Sequence, residues 1–487
     1  MSVLVIDIGT TGLRAAVQAP DGSLGDLVYR RLPPTSPAPG LVEFDAAEMA
    51  AVTLEVAREA LARHGSPVQA VGVSTQRAST VVWDRATGQP IGPGLGWQDL
   101  RTVFDCIMAK ANHGLALAPN QSATKLAWLL DNLDPDRSRD LCFGTVDSWI
   151  AWVLTEGTAH VTDRSNAAVT GLTLGDASDW NDTVLGVFRI SRSMMPRLVD
   201  TSGPIAPATA LPGAPMLSAL VGDQQASLVG QSCVRPGDTK ITFGTGGMLD
   251  VCVGPTAPAS ANRSSDGTFP IVGWSIGGVT TWGVEAIMLS AGTNVEWLRD
   301  DLGLITTAAE SHEVAQRCAS TDGVVFVPAL LGLGTPHWDY GARGALFGLS
   351  RGSDRAHVVR AVLEGIAHRG ADLVDAAEVA LGSGGTGRRI DVLRIDGGMS
   401  RNPTFVQALA DAAQRPVETA PVADATTLGA GYLAGLTAGV WGSFDDIAAI
   451  WRPASRVEPA GVLDRAQFHE AVRRTRGWIP DLSALDF

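Results

Sequence analysis

Residues 3–8 form an apolar run rich in β-branched side chains, which predicts a buried strand. The run stops at Gly9-Thr10-Thr11-Gly12 and resumes over residues 13–18, so the pattern reads strand, glycine turn, strand. Four prolines between Leu32 and Gly40 predict a loop. Residues 46–63 change to a helical period with the charges on one face. Residues 70–74 and 80–83 read as neighbouring strands, and residues 122–133 and 147–154 as helices.

The opening pattern returns near the middle of the chain. Residues 240–243 are apolar and extended, Gly244-Thr245-Gly246-Gly247 follows, and residues 248–253 are extended again, 235 positions after the first copy. A period of half the chain implies two similar domains rather than a solenoid. The turn Arg235-Pro236-Gly237-Asp238 divides them, into 1–237 and 238–487. Beyond it the pattern predicts a long helix over 355–380, a strand over 390–395, the turn Asp396-Gly397-Gly398, and helices over 403–414 and 426–439.

Composition narrows the function classes. A chain of 487 residues, 45% of them hydrophobic, is too long for one core and is built to fold. A net charge of −14 repels phosphate backbones and anionic lipid, so neither nucleic acid nor a membrane is the expected partner. The five cysteines lie far apart without a C-x-x-C pair, which argues against a disulfide framework or a zinc site. The N-terminus lacks a basic segment and a cleavage site, and no uncharged apolar run reaches membrane-spanning length. Together these features predict a cytoplasmic protein.

Two motifs lack the context their chemistry needs. Gly382 to Gly387 matches G-x-G-x-x-G but follows a helix and precedes a strand, the reverse of a dinucleotide site. Gly273 to Gly277 matches G-x-S-x-G but leads into a hairpin return, not the helix of a nucleophile elbow. No G-K-[ST] is present, so a P-loop is excluded.

Three glycine turns at strand ends carry the phosphate chemistry. In the first, glycines admit a phosphate close to the backbone, and Thr10 and Thr11 add hydroxyls. Asp7 beside such a site implies a bridging cation such as Mg²⁺, and Arg14 is within reach of the same phosphates. The second turn offers Thr245, and the third has Asn402 near the start of the next helix. Three such turns in two domains around one cleft point to a nucleotide. Asp223 ends the apolar run 217–221 and opens a helix, where a carboxylate either caps the helix or deprotonates a substrate hydroxyl.

These segments, with Thr75-Gln76-Arg77, Trp97-Gln98-Asp99, Thr124-Lys125-Leu126, Gly222 to Gln225 and Gly332 to Pro336, resemble the FGGY carbohydrate kinases over nearly the whole chain, in particular their glycerol-kinase branch. The resemblance implies an α/β fold of two RNase H-like, actin-type ATPase domains with ATP, Mg²⁺ and substrate in the cleft between them. It implies Asp223 as general base and Asp7 and Asp223 as metal-associated. Thr10, Thr11, Arg14 and Thr245 would contact nucleotide phosphates, and Gly292, Glu296, Gly398 and Asn402 would hold the nucleotide. Arg77, Ala78, Trp97, Arg164, Gln224 and Met248 would surround the acceptor.

Three of those positions depart from the glycerol-kinase pattern. Ala78 stands for a glutamate, Arg164 for a tyrosine and Met248 for an aromatic residue. A smaller residue makes room and an arginine adds donors, so a four- or five-carbon polyol or ketose is the expected acceptor, with glycerol the alternative. The expected partner is a small polyol or sugar, and a homodimer or homotetramer is left open.

Overall fold

β-branched side chains fill the first strand, β1 (Val3–Ile8), and all six of its residues are buried. The Gly9–Gly12 turn folds it antiparallel onto β2 (Gly12–Gln18), with Asp7 opposite Arg14. The computed structural model describes residues 1–257, 263–383, 389–422 and 424–485. A helix, α1 (Ala46–His64), is capped by the Asp45 carboxylate and ended by Gly65 in the left-handed conformation. It returns the chain to β3 (Ala70–Thr75), parallel to β1. Far along the sequence β4 (Met216–Gly222) adds beside β3, also parallel, and runs straight into α2 (Asp223–Gly230).

The second half repeats this order. β5 (Thr239–Phe243) turns at residues 244–246 into antiparallel β6 (Gly247–Gly254). The hairpin β7 (Phe269–Ile276) and β8 (Val279–Met288) continues the meander, β8 lying against β6. A long helix, α3 (Arg355–Ser383), leads to β9 (Leu393–Asp396), parallel to β5. Val417–Thr419 is the next parallel strand, after α4 (Pro403–Ala413). It is followed by α5 (Ala425–Ala438), the counterpart of α2. Each half is therefore an antiparallel meander joined to parallel strands, the RNase H-like arrangement expected. The halves meet edge to edge in one 13-stranded sheet, joined by the single pairing of Ser202 with Ile276.

α2 and α5 cross where their backbones touch. A Cβ on Gly429 would overlap the Ala226 carbonyl oxygen, and one on Gly230 the Ala425 carbonyl oxygen. α5 also covers β1, β3 and β4 of the other half. One apolar cluster includes both helices of this crossing, and the two larger ones lie in the first and second halves.

Several expectations are refined. The strand over 80–83, Val81–Asp84, pairs with Leu141–Gly144 in a separate two-stranded sheet and not with β3. The intervening turn diverts the chain, with Ala78 in the left-handed region at φ 60°. The strand expected over 390–395 begins at Leu393. Gly273–Gly277 is a hairpin, and Ser275 is wholly buried, its hydroxyl accepting from the Thr201 amide. Of Gly382–Gly387, residues 384–387 lie outside the described residues. All five cysteines are free thiols. Among the described residues no helix is long and apolar enough to cross a membrane.

Candidate active-site cleft

The parallel strands of both halves deliver their C-terminal ends to one cleft, where α/β sheets place their ligand sites. β4 ends at Gly222, and Asp223 is the first residue of α2, with its carboxylate accepting the Gln224 amide at 2.8 Å. The side chain does not cap the helix. It faces Arg77, which leaves the end of β3, with Nε 3.4 Å from Oδ1. Burial raises the Asp223 pKa and Arg77 opposes the rise. With 31% of the side chain open to the cleft, solvent also moderates it.

Arg77 has a second carboxylate partner that sequence patterning did not single out. Its Nη2 donates to Glu285 Oε2 at 2.6 Å, across from β8 of the other half. Arg77 Nη1 is buried and has no hydrogen-bond partner among the described residues. A buried guanidinium nitrogen without an acceptor is costly, and a substrate hydroxyl would satisfy it. Beside Asp223, Gln224 Oε1 accepts from Lys240 Nζ at 2.6 Å. Lys240 also lies 2.6 Å from Asp250, and both side chains are wholly buried.

Trp97 closes one wall, donating from its indole to Thr10 Oγ at 3.2 Å. Its backbone is held by Lys125, whose ammonium donates to the Trp97 carbonyl at 3.1 Å and the Asn120 carbonyl at 3.3 Å. Burial pulls the Lys125 pKa down to about 7.

At the first turn Asp7 pairs with Arg14 at 3.2 Å, and Arg14 Nη1 reaches Asp424 at 2.5 Å. Burial pushes the Asp7 pKa up to about 6, with Arg14 opposing and the Asp223 carboxylate adding repulsion. Two carboxylates that repel each other suit a divalent cation, which binds through one or two carboxylates plus phosphate oxygens. Among the described residues no group of three or more His, Cys, Asp or Glu could hold a metal ion alone.

The other nucleotide candidates partly converge. The Gly292 amide donates to the Gly244 carbonyl, and a Cβ at Gly292 would lie 2.6 Å from that oxygen. Gly397, at φ 84°, sits against the Phe243 carbonyl, so the second and third turns touch. Thr245, Glu296 and Gly398 are exposed, and Met248 is half-buried at the start of β6. Asn402 is committed elsewhere: Oδ1 caps α4 at Phe405, and Nδ2 donates to Ser311.

Arg164 and Ala78 both have local partners. Arg164 donates to the Ala177 carbonyl at 2.6 Å and lies 4.0 Å from Asp200. Ala78 is buried, with its carbonyl accepting from Ser122.

The chain is similar to known proteins over nearly its whole length. Residues 2–230 match the FGGY family of carbohydrate kinases, N-terminal domain, and residues 239–438 the C-terminal domain of that family. A glycerol kinase of Dechloromonas aromatica (strain RCB) is 41% identical over 499 residues, covering 98% of each chain. The crystal structure of Plasmodium falciparum glycerol kinase with ADP superposes with a TM-score of 0.89 at 26% identity, covering 97% of this chain and 98% of that one. A ligand-bound xylulose kinase from Lactobacillus acidophilus shares the fold, with a TM-score of 0.84 at 19% identity, covering 99% of this chain and 98% of that one.

Proposed function

The chain belongs to the FGGY family of carbohydrate kinases, a phosphotransferase with an alcohol acceptor, and we propose that it transfers the γ-phosphoryl group of ATP to a terminal hydroxyl of glycerol. The observation that carries glycerol is the 41% identity with a glycerol kinase across 98% of both chains. The larger acceptor expected from Ala78, Arg164 and Met248 has less support, because Arg164 is engaged with Ala177 and Asp200.

In this reading Arg77, Trp97 and Gln224 orient the acceptor, and the unpartnered Arg77 Nη1 bonds one of its hydroxyls. Asp223 accepts the proton of the attacking hydroxyl at its carboxylate. Thr10, Thr11, Arg14 and Thr245 bind phosphate oxygens, with Arg14 loosening from Asp424 to do so. Gly292, Glu296 and Gly398 flank the nucleotide, and Asn402 fixes the start of α4 beside it. Asp7 and Asp223 would hold Mg²⁺, which supplies positive charge beside the phosphates when bound. Most of the rate enhancement then comes from positioning and electrostatics.

ADP release measured against glycerol, tetritols, tetruloses and pentuloses tests the assignment. Glycerol is expected to give the highest kcat/KM, and Arg164→Ala to leave the order of acceptors unchanged. A pentulose or tetritol ahead of glycerol, with Arg164→Ala reversing the order, would replace glycerol by the longer acceptor.

A further inference from the structure

Three adjacent strands of the second half put three charged residues in one row. Lys240 on β5 is directly opposite Asp250 on β6, and Asp250 is directly opposite Glu285 on β8. Directly opposed residues share a face of the sheet. This row looks at α2 and the end of β3 in the other half. It meets them at two contacts, Lys240 with Gln224 at 2.6 Å and Glu285 with Arg77 at 2.6 Å.

Arg77 therefore stands between two carboxylates, one from each half of the molecule. Glu285 takes the short, direct contact through Nη2, and Asp223 has only the longer approach of 3.4 Å to Nε. A guanidinium facing a single carboxylate favours a bidentate fork with both oxygens engaged. Such a fork on Asp223 would tie up the proposed base and lower its proton affinity.

We propose that Glu285 is a positioning residue for phosphoryl transfer: it holds the Arg77 guanidinium toward β8, so that Arg77 is presented to the acceptor and the Asp223 carboxylate stays free to take the proton. The inference rests on Asp223 acting as base in the reaction proposed above. It adds a role for a residue of the second half, 35 positions beyond the nearest charged residue of the row in sequence order, Asp250.

The charges facing Glu285 from every side are Arg77, Asp250 and Lys240, with Asp223 beyond Arg77. Removing the Glu285 acceptor releases Arg77 to pair with Asp223.

The test is Glu285→Gln in the full chain, with Glu285→Asp as the conservative control. Turnover is measured at one fixed pH on the acceptor that wild type uses best. For Glu285→Gln the expected result is a fall in kcat of roughly tenfold or more. KM for ATP is unchanged within about twofold, so the loss lies in the transfer step. Glu285→Asp, which keeps the carboxylate, should recover part of kcat. A Glu285→Gln protein with wild-type kcat overturns the proposal. So does a loss confined to thermal stability, or a Glu285→Asp protein no better than Glu285→Gln. Because each variant is compared with wild type on the same acceptor, a wrong acceptor assignment changes the panel result and not this comparison. Asp223→Asn, run alongside, reports separately on the base.

Discussion

In the first hairpin the second pair in from the turn is Asp7 and Arg14, opposite each other across the strands. In the second hairpin the corresponding places hold Thr242 and Met248, also paired. The second hairpin has its acid–base pair one pleat deeper, at Lys240 and Asp250, wholly buried and turned toward α2. The same strand–turn–strand thus brings charge to the cleft in one half and a neutral edge in the other. In the first hairpin the acid lies beside the turn and is paired with Arg14. In the second the turn is glycine and threonine, and the charge lies inside, holding Gln224.

Asp223 lies between the two hairpins, and the largest expected effect is there. Asp223→Asn should lower kcat on the order of 10²–10⁴-fold while leaving ATP binding and the melting temperature near wild type. Retention of more than about a tenth of wild-type kcat would remove Asp223 from the base role.

The buried pair of the second hairpin comes next. Lys240→Met leaves the Asp250 charge without its cation, which typically costs about 3–5 kcal/mol of stability. The double change Lys240→Met with Asp250→Leu should recover at least half of that in urea unfolding. If the single and double variants unfold at the same urea concentration, the pair is not coupled as its 2.6 Å contact implies.

The smallest effect belongs to the first hairpin and has a definite sign. The Asp7 pKa is raised to about 6 in the folded chain from its ordinary 3.8. The folded state therefore holds this proton more tightly than the unfolded state. That contribution is complete below about pH 3.8 and is lost as pH rises through about 6. Above it the ionised carboxylate is a burden that Asp7→Asn removes. The variant should gain on the order of 1–3 kcal/mol at pH 7.5 and progressively less toward pH 5, while its use of Mg·ATP worsens. Thr242→Val, at the neutral place of the other hairpin, should show no such pH-dependent gain. An Asp7→Asn protein that melts below wild type at pH 7.5 contradicts the assignment.

The repeat, the glycine turns and Asp223 at a strand end were readable because each is local: periodicity of two, a turn residue, a carboxylate after an apolar run. Glu285 and Asp250 were not singled out, although the signal was present. Each is an acid inside a largely apolar strand, Val279–Met288 and Gly247–Gly254 respectively, and such a residue needs a buried partner. What no local pattern contains is the register that lines up Lys240, Asp250 and Glu285 across three strands. At Ala78 the side-chain size was legible, but the left-handed backbone and the burial were not.

The interlocked helices α2 and α5 also set a timetable for the ribosome. β1, β3 and β4 are complete once residue 222 has been made, but the helix that covers them begins at Ala425. At roughly 5–20 residues per second the nascent chain waits on the order of ten to forty seconds with that sheet face bare. For that interval the first half is a sticky, unfinished object, and a chaperone that shields apolar β-surface during synthesis should raise the yield of this protein more than one added after release.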